Sequence, residues 1–173
     1  MITTIYLDMD GVIADFDKLY SSTYGLNCRD DPNDDNWFEF VNNDGFYRLP
    51  TTKNADKLID ELYRLDINIE ILSCIGTRKN HNAVRIQKME WLREHNIGHL
   101  PANFTKTKLQ KSNFACPSSL LIDDSAACID PFREKGGYGI LHISAEDTIK
   151  QLKCFVEKGL LCALSLDQET QKN

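Results

Sequence analysis

The sequence holds six cysteines but no C-x-x-C pair, so the ligand spacing of a structural zinc site is missing. Cys28, Cys74, Cys116, Cys128, Cys154 and Cys162 read as reduced thiols of a cytoplasmic protein, most of them small core residues. No apolar run reaches membrane-spanning length, so no membrane partner is expected. Asp8 interrupts the first apolar stretch too early for a secretory signal. A basic excess is also lacking: twenty Lys and Arg stand against twenty-six Asp and Glu, for a net charge of −6. That excludes a sequence-independent grip on duplex nucleic acid, which needs a basic face. It leaves room for a local Lys/Arg cluster around one small anion. No G-x-S-x-G elbow is present, which argues against a serine hydrolase. His81, His95, His99 and His142 show no ligand spacing, and there is no internal repeat.

What is present is ordinary globular composition. The 173 residues are 42% hydrophobic and 27% charged, enough for one compact domain with a real core and a small insert. Ile2–Leu7 reads as a buried strand that stops at Asp8, and Ala14–Tyr24 as a helix closed by Gly25. Residues 27–53 change character: a polar, acidic stretch turns abruptly aromatic at Trp37-Phe38, with Phe46-Tyr47 following. This is too long and too aromatic for a connector and predicts a small helical insert. Regular alternation then returns, with helices over 54–65, 80–95 and 145–164 and strands over 67–72, 102–105, 120–122 and 138–143. Strands alternating with helices predict an α/β fold, a Rossmann-like three-layer core on a mainly parallel sheet. The core is expected over residues 1–26 and 54–166, the insert after the first strand and helix, and a frayed polar tail over 167–173.

Three of these strands end in polar residues: Leu7 into Asp8, Leu72 into Ser73, Ile122 into Asp123. In open parallel sheets ligands bind beyond the carboxyl ends of the strands, so these residues are expected to converge on one rim. Asp8 and Asp10 flank a turn with Gly11, whose lack of a side chain suits close backbone approach to a ligand. Adjacent Asp123 and Asp124 repel unless a cation or partial protonation relieves them. With Asp8 and Asp10 they form an oxygen-rich set suited to Mg²⁺. The same pair is equally readable as a helix N-terminus, with Asp124 or Ser125 capping the segment that begins near Ala126. Ser73, with the turn Cys74-Ile-Gly-Thr77 behind it, is either a phosphate ligand or a plain strand terminator. Of Arg78, Lys79, Lys88, Lys106, Lys108 and Lys111, most are expected in solvent. One lysine at the rim would neutralise phosphate. Four aromatics of the insert can simply form its own small core.

In this order the pieces resemble the haloacid dehalogenase-like hydrolases, a superfamily dominated by Mg²⁺-dependent phosphatases. The resemblance covers residues 2–152 and rests on Asp8-x-Asp10-Gly-Val, the strand ending at Ser73, Lys111 before the next strand, and Leu121-Ile-Asp123-Asp124. Within the superfamily, Asp8-Met-Asp-Gly-Val-Ile-Ala-Asp-Phe16, Lys88-Met-Glu-Trp91 and Leu120-Leu-Ile-Asp-Asp124 are most similar to the 5′(3′)-deoxyribonucleotidases. Ser73 stands where Thr is frequent in that family, and Ser125 where Arg is frequent after the double Asp.

The resemblance implies that Asp8 is the nucleophile and Asp10 the general acid and base. It places Mg²⁺ on Asp8, the Asp10 backbone carbonyl and Asp124, with Asp123 close behind. It has Ser73 and Lys111 bind the transferring phosphoryl group, Lys88 add positive charge, and the insert act as a cap. It also implies that Phe16 faces a nucleoside while an aromatic from the insert, Trp37, stacks across the base. The implied substrate is a deoxynucleoside monophosphate. The alternatives are a sugar phosphate, a polynucleotide end, or a non-catalytic binding protein with the same fold. The oligomeric state is open, with room for a homodimer.

Overall fold

The computed structural model describes residues 1–164; the tail expected over 167–173 lies outside the described residues. Five strands, β1 (Thr4–Leu7), β2 (Asn68–Cys74), β3 (Ala102–Thr105), β4 (Ser119–Asp123) and β5 (Tyr138–Leu141), form one sheet in the order β3-β2-β1-β4-β5. Every pairing is parallel. The fold is thus the expected α/β Rossmann-like arrangement, with β1 at the centre.

Alternation along the strands builds two cores. Ile5, Leu7, Ile71, Ile122 and Ile140 face one side, where they pack with Leu58 and Leu62 of α3 (Ala55–Tyr63) and Leu152 of α6 (Ala145–Glu157). Leu72 and Leu121 face the other side, against Cys128, Ile129 and Phe132 of α5 (Ala126–Glu134). Helices on both faces leave β1 shielded from water, which is why it reads as a short continuous apolar run.

Several boundaries differ from the sequence expectation. Helix α1 is Phe16–Tyr24, because Asp15 stays outside as N-cap and accepts from Lys18 N–H at 3.2 Å. Helix α6 stops at Glu157 instead of running to 164, since Gly159 adopts φ +68°. Strand β2 runs through Ser73 to Cys74, and β5 ends at Leu141. A 3-10 segment, Lys108–Phe114, was not foreseen; Thr107 and Gln110 bond reciprocally across its N-terminus as a capping box.

Residues 27–53 contain one helix, α2 (Asp34–Asn42), followed by turns. Trp37, Phe40 and Phe46 turn inward and meet Phe16 and Tyr20 of α1, so the insert shares one aromatic cluster with the core helix. Helix α4 (His81–Glu94) fastens the segment from the other side. Buried Gln87 donates to Val41 C=O at 2.7 Å and accepts from Phe46 N–H at 3.1 Å, and Trp91 Nε1 donates to Leu49 C=O at 2.7 Å. These are main-chain groups that would otherwise be orphaned beneath the aromatic layer.

Candidate active site

The carboxyl ends of β2, β1 and β4 lie side by side, and with the insert they enclose a cavity of about 400 Å³. Its floor carries Asp8, Asp10, Lys111, Asp123 and Asp124; its walls carry Phe16, Trp37, Phe46 and Ile75. Parallel pairing puts Leu7 beside Ile122, so the residues that follow each, Asp8 and Asp123, emerge together. A charged floor under an apolar wall suits a substrate with an anionic end and a hydrophobic body.

Asp8 and Asp123 are both buried and share Lys111, whose Nζ lies 2.9 Å from Asp8 Oδ1 and 2.6 Å from Asp123 Oδ2. Burial disfavours every one of these charges, so their states depend on one another. Lys111, its charge disfavoured by burial but held by Asp8 and Asp123, sits well above the usual lysine range. Asp8 falls below the ordinary carboxylate value: burial opposes its charge, but Lys111, Lys88 and the Met9 backbone outweigh it. Asp123 moves up, through burial and then the neighbouring Asp8 charge. Asp8 is therefore the carboxylate whose ionised form its surroundings favour most, the state a nucleophile needs.

Asp10 is held apart from this cluster. Lys88 Nζ lies 2.6 Å from Asp10 Oδ2, 2.9 Å from Ser73 Oγ and 3.0 Å from Cys74 C=O. All three ammonium protons thus have protein acceptors, and Lys88 and Ser73 are both 0% exposed and lie behind the cavity wall. The resemblance has Ser73 bind the phosphoryl group and Lys88 add positive charge; in the structure Lys88 holds Asp10 and Ser73 holds Lys88. Asp10 is raised from the ordinary carboxylate value: loss of water is the main cause, Lys88 opposes it and Asp8 adds to it. One carboxylate lowered and its neighbour raised is the division of labour expected of a nucleophile and an acid.

Asp8, Asp123 and Asp124 each offer an oxygen within 4.8 Å of the others, a geometry in which one hard cation can be shared. Gly11, at φ +77°, completes the cradle: a Cβ there would overlap the Asp124 carboxylate. Asp124, partly removed from water and facing Asp8 and Asp123, is pushed up to about 6. Three acids with one lysine among them are an incomplete charge set without a cation. The Asp10 side chain is not one of this set. Neither Asp124 nor Ser125 caps α5 with its side chain, contrary to one reading of the sequence. Asp123 Oδ1 instead accepts from Ser125 N–H at 2.9 Å, and the Ser125 hydroxyl accepts from Lys108 Nζ at 3.0 Å.

The aromatic pair expected to sandwich a base is closed. Phe16 and Trp37 both line the cavity, but their centroids are 6.4 Å apart with planes tilted by 59°. A base between two rings needs about 7 Å and parallel planes. Phe16 is instead stacked on Phe46 at 5.3 Å, and Arg78 covers the Trp37 ring at 4.7 Å. Apolar collapse of five rings into one cluster is the reason. Cys28, Arg29, Arg78 and Lys108 also line the cavity. None carried a sequence signal stronger than that of a solvated charge or a core thiol.

No family model matches the sequence, and no curated protein matches it. Solved structures match the fold. A hydrolase from Streptococcus pneumoniae TIGR4 superposes with a TM-score of 0.57 at 11% identity, covering 88% of this chain and 98% of that one. L-2-haloacid dehalogenase from Xanthobacter autotrophicus gives 0.53 at 12% identity, over 95% and 90%. A HAD family hydrolase from Deinococcus radiodurans R1, solved with bound phosphate and sodium, gives 0.53 at 12% identity, over 94% and 99%. The structural neighbours are hydrolases of the haloacid dehalogenase superfamily, and this chain has their fold.

Proposed function

We propose that the protein is a Mg²⁺-dependent phosphomonoester hydrolase that acts on deoxynucleoside monophosphates through an aspartyl-phosphate. The observation that carries the reading is the convergence of an ionised Asp8, a raised Asp10 and the Lys111–Asp123 pair on the floor of one cavity. The bound phosphate of the Deinococcus hydrolase, on the same fold, supports it.

In the first step an Asp8 oxygen attacks phosphorus, the P–O bond to the leaving group breaks, and Asp10 gives that oxygen its proton. In the second, Asp10, now ionised, takes a proton from water as the water oxygen attacks the same phosphorus and releases Asp8. Lys111 balances negative charge on the phosphoryl oxygens. Lys88 acts through Asp10 by fixing its carboxyl group, and Ser73 in turn holds Lys88. Asp8, Asp123, Asp124 and the Asp10 carbonyl would hold Mg²⁺, which supplies charge neutralisation between the carboxylate and the phosphate dianion and fixes in-line approach. Residues 27–53 serve as the cap that keeps water from the acyl-phosphate.

The apolar wall supports the nucleotide part of the reading. A small alkyl phosphate makes no use of Phe16, Phe46 and Trp37, whereas a nucleobase would pack against them. A phosphate-release screen over deoxynucleoside monophosphates, sugar phosphates and 5′-phosphorylated oligonucleotides, with Mg²⁺ and with excess chelator, tests both parts. Mg²⁺-dependent release fastest from the mononucleotides is expected. Release from no phosphomonoester removes the hydrolase reading; equal rates on sugar phosphates remove the nucleotide one. Phe16→Ala should raise KM for mononucleotides about five- to a hundredfold, from roughly 1–3 kcal/mol of lost stacking, and barely change hydrolysis of glycerol phosphate, which has no ring to stack.

A further inference from the structure

Four cationic side chains line the cavity, and three are already balanced by acids. Arg29 lies 3.6 Å from Asp17, Arg78 lies 3.0 Å from Asp34, and Lys111 is shared by Asp8 and Asp123. Lys108 has no carboxylate partner among the described residues; its one bond is to the neutral Ser125 hydroxyl at 3.0 Å. An ammonium has three N–H donors, so two remain for a ligand.

Its placement is not accidental to the backbone. Lys108 and Lys111 are three apart on a 3-10 segment, where residues i and i+3 eclipse, so both amino groups project toward the cavity. The Thr107–Gln110 capping box fixes the start of that segment. Ser125 occupies the N-cap position of α5 yet leaves the helix uncapped while holding the Lys108 ammonium. Lys111 is buried and committed to the two carboxylates beneath; Lys108 is exposed at the mouth, beside Asp124.

We propose that Lys108 is a second phosphate-binding residue, which takes the outer phosphoryl oxygens as substrate enters and as phosphate leaves. The proposal rests on the phosphomonoesterase reading and adds a specificity determinant to it. A dianion entering a floor that carries Asp8, Asp123 and Asp124 meets repulsion, and Lys108, though near Asp124, is the one lining cation without a carboxylate at ion-pair distance among the described residues. Selectivity for a dianionic phosphate over a singly charged ester such as a sulfate monoester follows from it.

The test uses the full chain with Mg²⁺ and inorganic phosphate as probe, read both as competitive inhibition and by calorimetry. Lys108→Ala should weaken phosphate about tenfold, in line with the loss of a charge-assisted bond at an exposed site. The loss in phenyl phosphate hydrolysis should fall mainly on KM, and Lys108→Arg should restore most of it. Mg²⁺ affinity measured without phosphate should hold or rise in Lys108→Ala, because a cation beside Asp124 has gone. Loss of both affinities, or unchanged phosphate affinity, overturns the proposal. A wild-type protein that turns over while Lys108→Ala binds phosphate normally sinks the Lys108 assignment alone. One that binds phosphate through Lys108 without turnover sinks the hydrolase reading alone.

Discussion

Lys88→Met removes a charge from a place with no water to replace it. The lysine is 0% exposed and holds Asp10 at 2.6 Å, Ser73 at 2.9 Å and Cys74 C=O at 3.0 Å. Methionine preserves most of the side-chain length and volume, so the cavity term is small. What is lost is the counter-charge of Asp10, whose other oxygen already lacks a partner. Breaking a fully buried pair costs about 3–5 kcal/mol. Asp10 keeps 30% of its side chain exposed and can take up a proton, so about 2–3 kcal/mol is the better figure here. For a chain of this size that lowers Tm by about 4–12 °C.

The kinetic consequence has a definite sign. Lys88 favours the ionised form of Asp10, so its removal raises the Asp10 pKa further. The alkaline limb of kcat/KM, where Asp10 loses the proton it must donate, then moves to higher pH. The assay is a pair of pH profiles, one for an alkyl phosphate that needs the acid and one for an aryl phosphate with a good leaving group. The alkyl profile should move and the aryl profile should move less. A folded variant whose profiles stay put while KM rises on both substrates would refute the argument. It would mean that Lys88 touches phosphate after all.

Asp8→Asn keeps the shape of the floor and removes the attacking anion; turnover should fall by at least about a thousandfold in a protein that still melts cooperatively, and near-normal turnover would rule Asp8 out. Asp124→Ala should abolish the rise in Tm that Mg²⁺ gives the wild type, since it removes one of the three clustered carboxylates; an undiminished rise would place the metal elsewhere. Gly11→Ala forces a side chain into the Asp124 carboxylate at a φ of +77°, and it should lower both Tm and the Mg²⁺ response, where a change in neither would contradict the cradle. His142, buried against the Thr148 hydroxyl at 2.8 Å, is lowered from 6.5 by burial. The unfolded chain therefore takes up that proton first: the contribution is complete above about pH 6.5 and is lost as pH falls through the lowered folded value. Melts from pH 7.5 to 5 should show His142→Asn losing less stability on acidification than the wild type, and parallel curves would exclude the linkage.

What the sequence made legible was the part of the site set by strand ends. Asp8, Ser73 and Asp123 stand out because a buried strand becomes polar there, and parallel pairing brings Asp8 and Asp123 together without further information. What stayed hidden depends on which side chain reaches which. Ser73 and Lys88 carry the right chemistry for a phosphate, yet a strand that ends two residues later and a helix packed close behind it turn Lys88 toward Asp10 and Ser73 toward Lys88. The aromatic residues were equally ambiguous: a ring able to stack on a base is equally able to stack on Phe46, as Phe16 does. Gln87 gave no signal at all, because a lone glutamine on a helix is normally solvated.

Helix α4 shows what those hidden contacts achieve together. Gln87 holds the backbone of the aromatic segment, Lys88 beside it holds Asp10, and Trp91 one turn on holds Leu49 C=O. One rigid element thus carries both the wall that would receive a substrate's apolar body and the group that would protonate its leaving oxygen. Displacing the insert relative to the sheet would strain the Asp10 contact through a single residue step along α4. Binding at the apolar wall can therefore bear on the acid step without the phosphate moving, and a mononucleotide that fills the wall should gain in kcat as well as in KM over glycerol phosphate, an alkyl ester with a comparable leaving group. That split separates a coupled site from one in which the insert merely adds contact area, for which only KM would change.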